Sequence, residues 1–251
     1  MEEILEVRNL SKSYGEKKVV DQLSLSIAEG EIVGFIGPNG AGKSTTIKLI
    51  IDVVDKEEGE ILFRNRRTKE NLRKFKRSLG VVPQEIAVYE DISAYDNVRF
   101  FCSLYGPKGA ELKQRTREAL EFVGLWEHRS ELPSKFSGGM KRRLNIACSI
   151  AHTPKLLIMD EPTVGIDPQS RNHILEAVKT LNSRGTAVIY VSHYMEEIEA
   201  ICNRIILMDH GKLLEDMEKE AFKQKYRSQY CQTLEEIFLM LTGSELRDGE
   251  E

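Results

Sequence analysis

The stretch GPNGAGKST, residues 37–45, decides the fold class of this 251-residue chain. It fits the pattern G-x-x-x-x-G-K-[S/T], it follows the run IVGFI, which has no polar side chain, and it leads into a predicted helix over residues 43–51. The glycines let the backbone curl so that successive N–H groups point at phosphate groups. Lys43 adds a positive charge for the β- and γ-phosphates, and the Ser44 hydroxyl is suited to ligate Mg²⁺. The stretch therefore predicts a strand, a phosphate-binding loop and a helix.

A second stretch, LLIMDEP at residues 156–162, supplies acidic groups for the same chemistry. Its apolar half predicts a buried strand that delivers Asp160 to the carboxyl end of a sheet, where such folds bind ligands. Asp160 can hold a magnesium ion through a water molecule. Glu161 can polarise an attacking water as a general base, an effect of roughly 10²–10⁴-fold in rate. An acid at this place favours hydrolysis over transfer of the phosphoryl group to a second substrate.

A third stretch, PSKFSGGMKRRL at residues 133–144, predicts the start of a cationic helix. Ser137 is a good N-cap, and Gly138 and Gly139 let a ligand approach the first turn closely. Bare N–H groups at a helix start attract anions. Three cations in the same predicted helix are expected to support such an anion: Lys141, Arg142 and Arg143. The chain thus has two predicted phosphate-binding segments for one nucleotide.

The order of predicted elements indicates an α/β core interrupted by a helical lobe. The first sixty residues predict strands, residues 86–150 predict helices, and strands alternate with helices from residue 156. Such alternation implies a parallel sheet with crossover helices. The tail from residue 216 is charged and predicted to be helical, and Thr233 with Glu236 forms a capping-box pattern.

The composition is that of a soluble globular protein, with 41% hydrophobic and 30% charged residues. A net charge of -4 gives no overall attraction to nucleic acid or anionic lipid. The longest apolar runs, residues 187–191 and 237–241, are too short to span a membrane, and the acidic N-terminus does not resemble a signal peptide. Four widely spaced cysteines predict buried thiols rather than disulfides or a zinc site. We expect a cytosolic chain.

These motifs resemble the ATP-binding cassette (ABC) family over nearly the whole chain. FSGGM, residues 136–140, is similar to the family signature LSGGQ, with Met140 in place of glutamine. The resemblance implies a magnesium ligand and sensor of the transmembrane partner at Gln84, a D-loop acid at Asp167 and a γ-phosphate contact at His193. Glu161 and His193 are then the catalytic residues. The implied nucleotide-binding residues are Tyr14, which would stack on adenine, and Gly37, Pro38, Asn39, Gly40, Ala41, Gly42, Lys43, Ser44, Thr45 and Gln84. The implied magnesium ligands are Ser44, Gln84 and Asp160.

The fold implied by the resemblance is a P-loop NTPase core of ABC ATPase type. It has an N-terminal antiparallel β-subdomain, an inserted α-helical subdomain and a short helical C-terminal tail. The implied boundaries are an ABC ATPase domain over residues 1–215, with the helical subdomain at about 86–150, and a C-terminal extension over 216–251.

Pairing of two chains would explain the second phosphate-binding segment. In the family, two cassettes pair head to tail, and the signature of one closes on the nucleotide held by the other. The residues acting across that interface would be Ser137, Gly138, Gly139 and Met140. The stretches SAYDNVRFFCSLYG and TLEEIFLMLTG resemble ATPase subunits of ABC-2-type exporters. The resemblance implies ATP and Mg²⁺ as cofactors, a separate permease and a second cassette, identical or different, as partners, and a location on the inner face of the cell membrane.

Other functions stay open beside the exporter subunit. A soluble ABC-type ATPase could act on nucleic acid or ribosomes, but one cassette, a short helical lobe and a negative net charge argue against it. A regulatory cassette without hydrolysis is disfavoured because Lys43, Asp160, Glu161 and His193 are all present. A GTPase is disfavoured because the sequence has no NKxD motif. The basic stretch at residues 64–77 predicts a solvated hairpin and helix face, so no direct nucleic-acid contact is expected.

Overall fold

The computed structural model describes residues 2–228 and 231–243. The chain divides into two compact units. The first consists of residues 1–75 and 187–251, and the second of residues 76–186. Within the described residues, no helix is both long and apolar enough to cross a membrane.

The first unit contains an antiparallel sheet, as the strand-rich opening of the sequence predicts. It is formed by β1 (Glu3–Tyr14), β2 (Lys17–Ala28), β4 (Glu58–Phe63) and β5 (Arg66–Arg67), in the order β2-β1-β4-β5. The basic stretch at residues 64–77 forms the β4–β5 hairpin, a 3₁₀ turn (Thr68–Asn71) and most of helix α2 (Leu72–Ser78), as expected.

The same unit contains the strand that leads into the phosphate loop. Strand β3 (Ile32–Ile36) lies between β8 (Ala187–Val191) and β9 (Arg204–Asp209), parallel to both, and β10 (Lys212–Glu218) pairs antiparallel with β9. All residues of β3 and β8 are buried. Parallel strands are usually buried on both faces of the sheet, which explains why their sequences are continuous apolar runs. Helix α1 (Lys43–Ile50) follows β3 and helix α7 (Met195–Ile201) follows β8. The predicted alternation of strands and helices is confirmed here.

The C-terminal segment differs in detail from the helical tail expected from residue 216. Strand β10 continues to Glu218, so the first helix, α8 (Lys219–Tyr226), begins only afterwards. The last described helix is α9 (Leu234–Thr242), and its capping box is confirmed because Thr233 and Glu236 each accept a backbone N–H bond from the other. Residues 229, 230 and 244–251 of the expected tail lie outside the described residues, and the boundary at residue 215 stays a prediction.

The second unit contains two parallel strands, β6 (Leu79–Val82) and β7 (Leu156–Asp160). Its helices are α3 (Ala94–Leu104), α4 (Gly109–Phe122), α5 (Gly138–Ile150) and α6 (Pro168–Ser183), with 3₁₀ turns at Trp126–His128 and Pro133–Lys135. The helical lobe predicted over residues 86–150 is therefore present. Strand β6 could not be predicted because it begins at Leu79 directly after α2 ends at Ser78, with no glycine or proline between them to mark a turn.

All four cysteines are free thiols and buried, as predicted. Burial raises the pKa of Cys102 to about 11 and also raises the pKa of Cys148 and Cys202. These thiols are packed as small apolar side chains and keep their protons at neutral pH.

Candidate nucleotide-binding site

The phosphate loop in the first unit holds a buried cation. Lys43 is only 6% exposed, and its Nζ donates hydrogen bonds to the carbonyl oxygens of Gly37 at 2.6 Å and Pro38 at 2.9 Å. A buried ammonium group requires such partners. The loop therefore folds around the lysine and holds its charge among the loop's own backbone groups.

The start of α1 suits an anionic ligand. Gly42 lies at the N-cap with φ 101°, and a Cβ there would come within 2.4 Å of the Val19 carbonyl oxygen, so only glycine fits. Within the described part of the chain, no side chain caps α1, and its first turn has no acidic residue. The N–H groups of this turn therefore keep the positive end of the helix directed at the loop.

The acidic pair in the second unit lies at the end of β7. Asp160 is the last residue of the strand, as predicted, and Glu161 follows in the left-handed region with φ 46° while only 9% exposed. A non-glycine residue in that region costs on the order of 1–3 kcal/mol and is typical of functional sites. Gln84 Nε2 donates a hydrogen bond to Glu161 Oε2 at 3.0 Å. The structure thus joins two residues that the sequence predicted from separate motifs.

The signature segment begins α5 as predicted. Ser137 is the N-cap, and its Oγ accepts a hydrogen bond from Met140 N at 3.2 Å. Ser137 and Gly138 are exposed, whereas Gly139 is buried. A Cβ on Gly139 would lie 2.5 Å from Ser170 Oγ and 3.3 Å from Asp167 Oδ2, so a side chain at this position would force Ser170 to move. The signature and the expected D-loop acid are therefore neighbours in the same unit.

Asp167 is the N-cap of α6. Its Oδ1 accepts hydrogen bonds from Gln169 N at 3.0 Å and Ser170 N at 2.9 Å. The backbone hydrogen bond from Ser170 is the main cause that lowers the pKa of this carboxyl group. Asp167 is therefore anionic at neutral pH, beside the start of α5.

The cations after the signature are used differently from the prediction. Lys141 pairs with Glu90, and Arg143 Nη1 donates to the Val123 carbonyl oxygen at 2.9 Å. Arg142 donates to two other carbonyl oxygens, of Pro83 and Gln84. These groups stabilise the packing around α5, and the expectation that they support an anion at the helix start is corrected.

His193 lies in a loop that is stabilised by a buried carboxylate. It is exposed and follows β8, while Glu197 on α7 is only 1% exposed. Glu197 Oε2 accepts hydrogen bonds from Tyr190 OH and Ser192 Oγ, both at 2.9 Å. The serine hydroxyl in turn accepts from Tyr194 N at 3.0 Å. Glu197 could not be predicted from the sequence, because in MEEIEAI it is one acid among three and nothing in the pattern marks it as buried.

The remaining expected nucleotide contact is Tyr14 at the end of β1. Its side chain is 50% exposed, and Lys12 Nζ lies 5.6 Å from the ring centroid. An exposed ring beside a cation is suited to stack on a base, and its role toward adenine stays a prediction.

The residues expected to hold Mg²⁺ have the right donor chemistry. Mg²⁺ takes oxygen ligands, and Ser44, Gln84 and Asp160 offer a hydroxyl, an amide oxygen and a carboxylate. Gln84 directs its amide nitrogen at Glu161, so its oxygen is the atom suited to a cation. The described residues contain no group of three or more His, Cys, Asp or Glu side chains that could hold a metal by themselves.

Comparisons with known proteins agree with this P-loop site. Residues 20–164 match the protein family described as ABC transporter. The chain is 50% identical over 211 residues to the linearmycin resistance ATP-binding protein LnrL of Bacillus subtilis (strain 168), covering 84% of this chain and 68% of LnrL. It is 39% identical over 209 residues to the Nod factor export ATP-binding protein I of Sinorhizobium fredii, covering 83% of this chain and 61% of that protein. The chain belongs to the ABC transporter family.

A solved structure supports the same assignment at the level of the fold. The dimeric post-hydrolysis state of the ATP-binding cassette MJ0796, bound to ADP and Pi, is 28% identical, with a TM-score of 0.77. The match covers 85% of this chain and 98% of that one. The predicted family, the fold class and the assignment as an ABC-type ATP hydrolase are confirmed.

Proposed function

We propose that this chain is the ATP-binding subunit of an exporter and hydrolyses ATP as a head-to-tail dimer to drive a separate permease. Export is supported by the name of the relative from Sinorhizobium fredii, and dimer formation by the paired state of MJ0796. The main structural support for hydrolysis is the hydrogen bond of 3.0 Å from Gln84 to the buried Glu161. It joins the residue proposed to report on the permease to the proposed general base.

The proposed division of labour follows from the chemistry of each group. The N–H groups of residues 37–45 and the Lys43 ammonium hold the phosphates, and Tyr14 stacks on adenine. Ser44, Gln84 and Asp160 hold Mg²⁺, which when bound neutralises charge on the β- and γ-phosphates. Glu161 takes a proton from the attacking water, and its carboxylate is held for this task by the Gln84 amide. His193 donates to the γ-phosphate from a loop stabilised by Glu197.

The signature residues would act on the nucleotide of the partner chain. Ser137 and Gly138 are exposed at the positive end of α5, which has 13 residues and no acidic residue in its first turn. That arrangement favours a γ-phosphate brought by a second copy. Asp167, anionic and beside Gly139, would sit at the same interface.

An aromatic cluster on the second unit is the proposed docking surface for the permease. Tyr89, Phe100 and Phe101 lie with ring centroids 5.4–6.0 Å apart, and Tyr89 and Phe100 are 49% and 41% exposed. The buried Asn97 fixes Tyr89 through hydrogen bonds of 2.8 Å to both its N–H and its carbonyl group. A rigid, partly exposed aromatic surface beside Glu90 suits a short partner helix. Binding there would hold the chain to the inner face of the membrane.

Co-purification tests the proposal as a whole. The tagged full chain, extracted with mild detergent from membranes of cells that produce it, should carry a polytopic membrane protein with it. Recovery with ribosomes or nucleic acid, and without any membrane protein, would instead support the soluble ABC-type ATPase.

A further inference from the structure

Helix α5 carries a polar stripe that consists of Arg142, Asn145 and Ser149. The spacings of three and four residues place these side chains on one face of the helix. The signature Ser137 caps the same helix, five residues before Arg142 and about 7.5 Å away along the helix axis. The stripe is therefore rigidly connected to the signature.

Every residue of the stripe is hydrogen-bonded to the backbone of β6 or of the segment that follows it. Ser149 Oγ donates to the Val81 carbonyl oxygen at 2.7 Å, and Asn145 Oδ1 accepts from Ala87 N at 3.4 Å. Arg142 makes two contacts, with Nη1 2.8 Å from the Pro83 carbonyl oxygen and Nη2 2.6 Å from that of Gln84. The contacts thus bracket Gln84 from residue 81 to residue 87.

Arg142 is the strongest link in the stripe. It is only 3% exposed, and a buried guanidinium must be bonded because its charge is costly to remove from water. Its planar fork spans two consecutive carbonyl groups, which the single ammonium of a lysine cannot do in the same way. This fixes the backbone at Pro83 and Gln84 more tightly than a neutral contact would.

The link continues from the backbone of Gln84 to its side chain. Arg142 holds the Gln84 carbonyl group, and the Gln84 amide donates to Glu161 Oε2 at 3.0 Å. A displacement of α5 therefore changes the position of Gln84, and with it the hydrogen bond on the carboxylate of Glu161.

We propose that Arg142 is a positioning residue for ATP hydrolysis. It transmits the engagement of Ser137 by the partner's nucleotide to Gln84 and Glu161 of its own chain, so that each active site responds to the closing of the other. This inference rests on the proposed roles of Gln84 and Glu161 and adds the element that connects them to the signature.

The test measures kcat, KM for ATP and the melting temperature of the purified full chain and its variants. Arg142→Met removes both bonds, and Arg142→Lys keeps the charge. Arg115→Met is the matched control, because Arg115 Nη1 also donates to a backbone carbonyl, that of His152 at 2.9 Å, but not in the segment around Gln84. Gln84→Ala is made alone and together with Arg142→Met.

Arg142→Met should lower kcat by about tenfold or more, the range found when supporting residues of an active site are lost, with little change in KM. Arg142→Lys should recover part of the rate, and Arg115→Met should lower the melting temperature without a comparable loss of kcat. Because Arg142 acts through Gln84, the double variant should be no slower than Gln84→Ala alone. A purely structural arginine would instead give losses that multiply.

The inference is wrong if Arg142→Met has the same kcat as Arg115→Met, or if its loss multiplies fully with that of Gln84→Ala. Should Arg142→Met fail to fold, a folded Arg142→Lys with wild-type kcat overturns the inference equally. Glu161→Gln distinguishes a failure of the proposed catalytic roles from a failure of the positioning role of Arg142. Normal hydrolysis in that variant contradicts the proposed catalytic roles, whereas an inactive Glu161→Gln beside a normal Arg142→Met contradicts the positioning role alone.

Discussion

At the residue scale, the charge of Lys43 is central to nucleotide binding. Its Nζ is held by the carbonyl oxygens of Gly37 and Pro38, and the sequence of residues 37–45 contains no other charged residue. We expect Lys43→Ala to abolish hydrolysis and to weaken ATP binding by about 1.5–3 kcal/mol, the usual contribution of a hydrogen bond to a charged group. Titration with a fluorescent ATP analogue measures the binding.

The matched control for this prediction is Lys48→Ala. Lys48 is an exposed lysine later in the same helix, so its loss changes the net charge without touching the loop. Wild-type turnover in Lys43→Ala would refute the assignment of residues 37–45 as the working phosphate loop.

A second prediction at this scale concerns acid stability and His152. Burial lowers the pKa of this histidine to about 4, although its Nε2 is hydrogen-bonded to the Leu79 carbonyl oxygen at 3.0 Å and its ring stacks on Tyr105 at 3.6 Å. The folded protein keeps the imidazole neutral, whereas the unfolded chain takes up a proton below its ordinary pKa of about 6.5. The free energy of unfolding should therefore fall as the pH drops from about 6.5 towards 4, by about 2 kcal/mol between pH 7.5 and pH 5 from this group.

Urea unfolding at pH 7.5 and pH 5 checks the sign and the size of this effect. His152→Gln should lose stability at pH 7.5 but should show a smaller further loss at pH 5 than the wild type. His173→Gln, which removes an exposed histidine, should keep the wild-type difference. An unchanged pH dependence in His152→Gln would contradict the explanation.

At the element scale, helix α3 and the segment before it together present the aromatic cluster to the proposed permease. Replacing Tyr89 and Glu90 together by alanine should reduce transport and the stimulation of hydrolysis by the permease, because it removes an exposed ring and the partner of Lys141. Hydrolysis by the isolated chain should remain. Tyr226→Ala, an aromatic substitution on α8, serves as the control. Normal transport by the folded double variant would place the docking surface elsewhere.

Elements could be predicted where local chemistry decides the structure. Ser137 and Thr233 cap helices, and β7 ends at Asp160, because capping and apolar runs act over a few neighbouring residues. Strand β10 was missed because its sequence KLLEDME mixes acids with apolar residues, and its pairing with β9 supplies what its propensity does not.

The partners of long side chains could not be predicted in the same way. Arg142 and Arg143 are adjacent and chemically identical, yet they bind carbonyl groups 59 and 20 residues away in sequence. Nothing in the spacing of KRRL distinguishes them from cations directed at a bound anion. The same holds for Glu197, whose buried carboxylate accepts hydrogen bonds from Tyr190 on β8 and from Ser192 just after that strand.

At the scale of the whole molecule, we propose that one chain offers two half-sites and that ATP completes them by joining two chains. Glu161→Gln tests it because the amide keeps the shape of the carboxylate and removes the base. Binding and chemistry are thereby separated. The γ-phosphate would be held by Lys43 and His193 of one chain and by Ser137 of the other. Water would be excluded from this interface, and hydrogen bonds are stronger where water is excluded.

The most direct measurement is sedimentation of the full-length Glu161→Gln chain with saturating Mg²⁺ and either ATP or ADP. We predict a stable dimer with ATP and a monomer or weak pair with ADP, which lacks the shared phosphate. Adding Ser137→Arg should block the dimer while ATP still binds to the phosphate loop of each chain. A Glu161→Gln chain that stays monomeric at saturating ATP would contradict self-pairing through the signature.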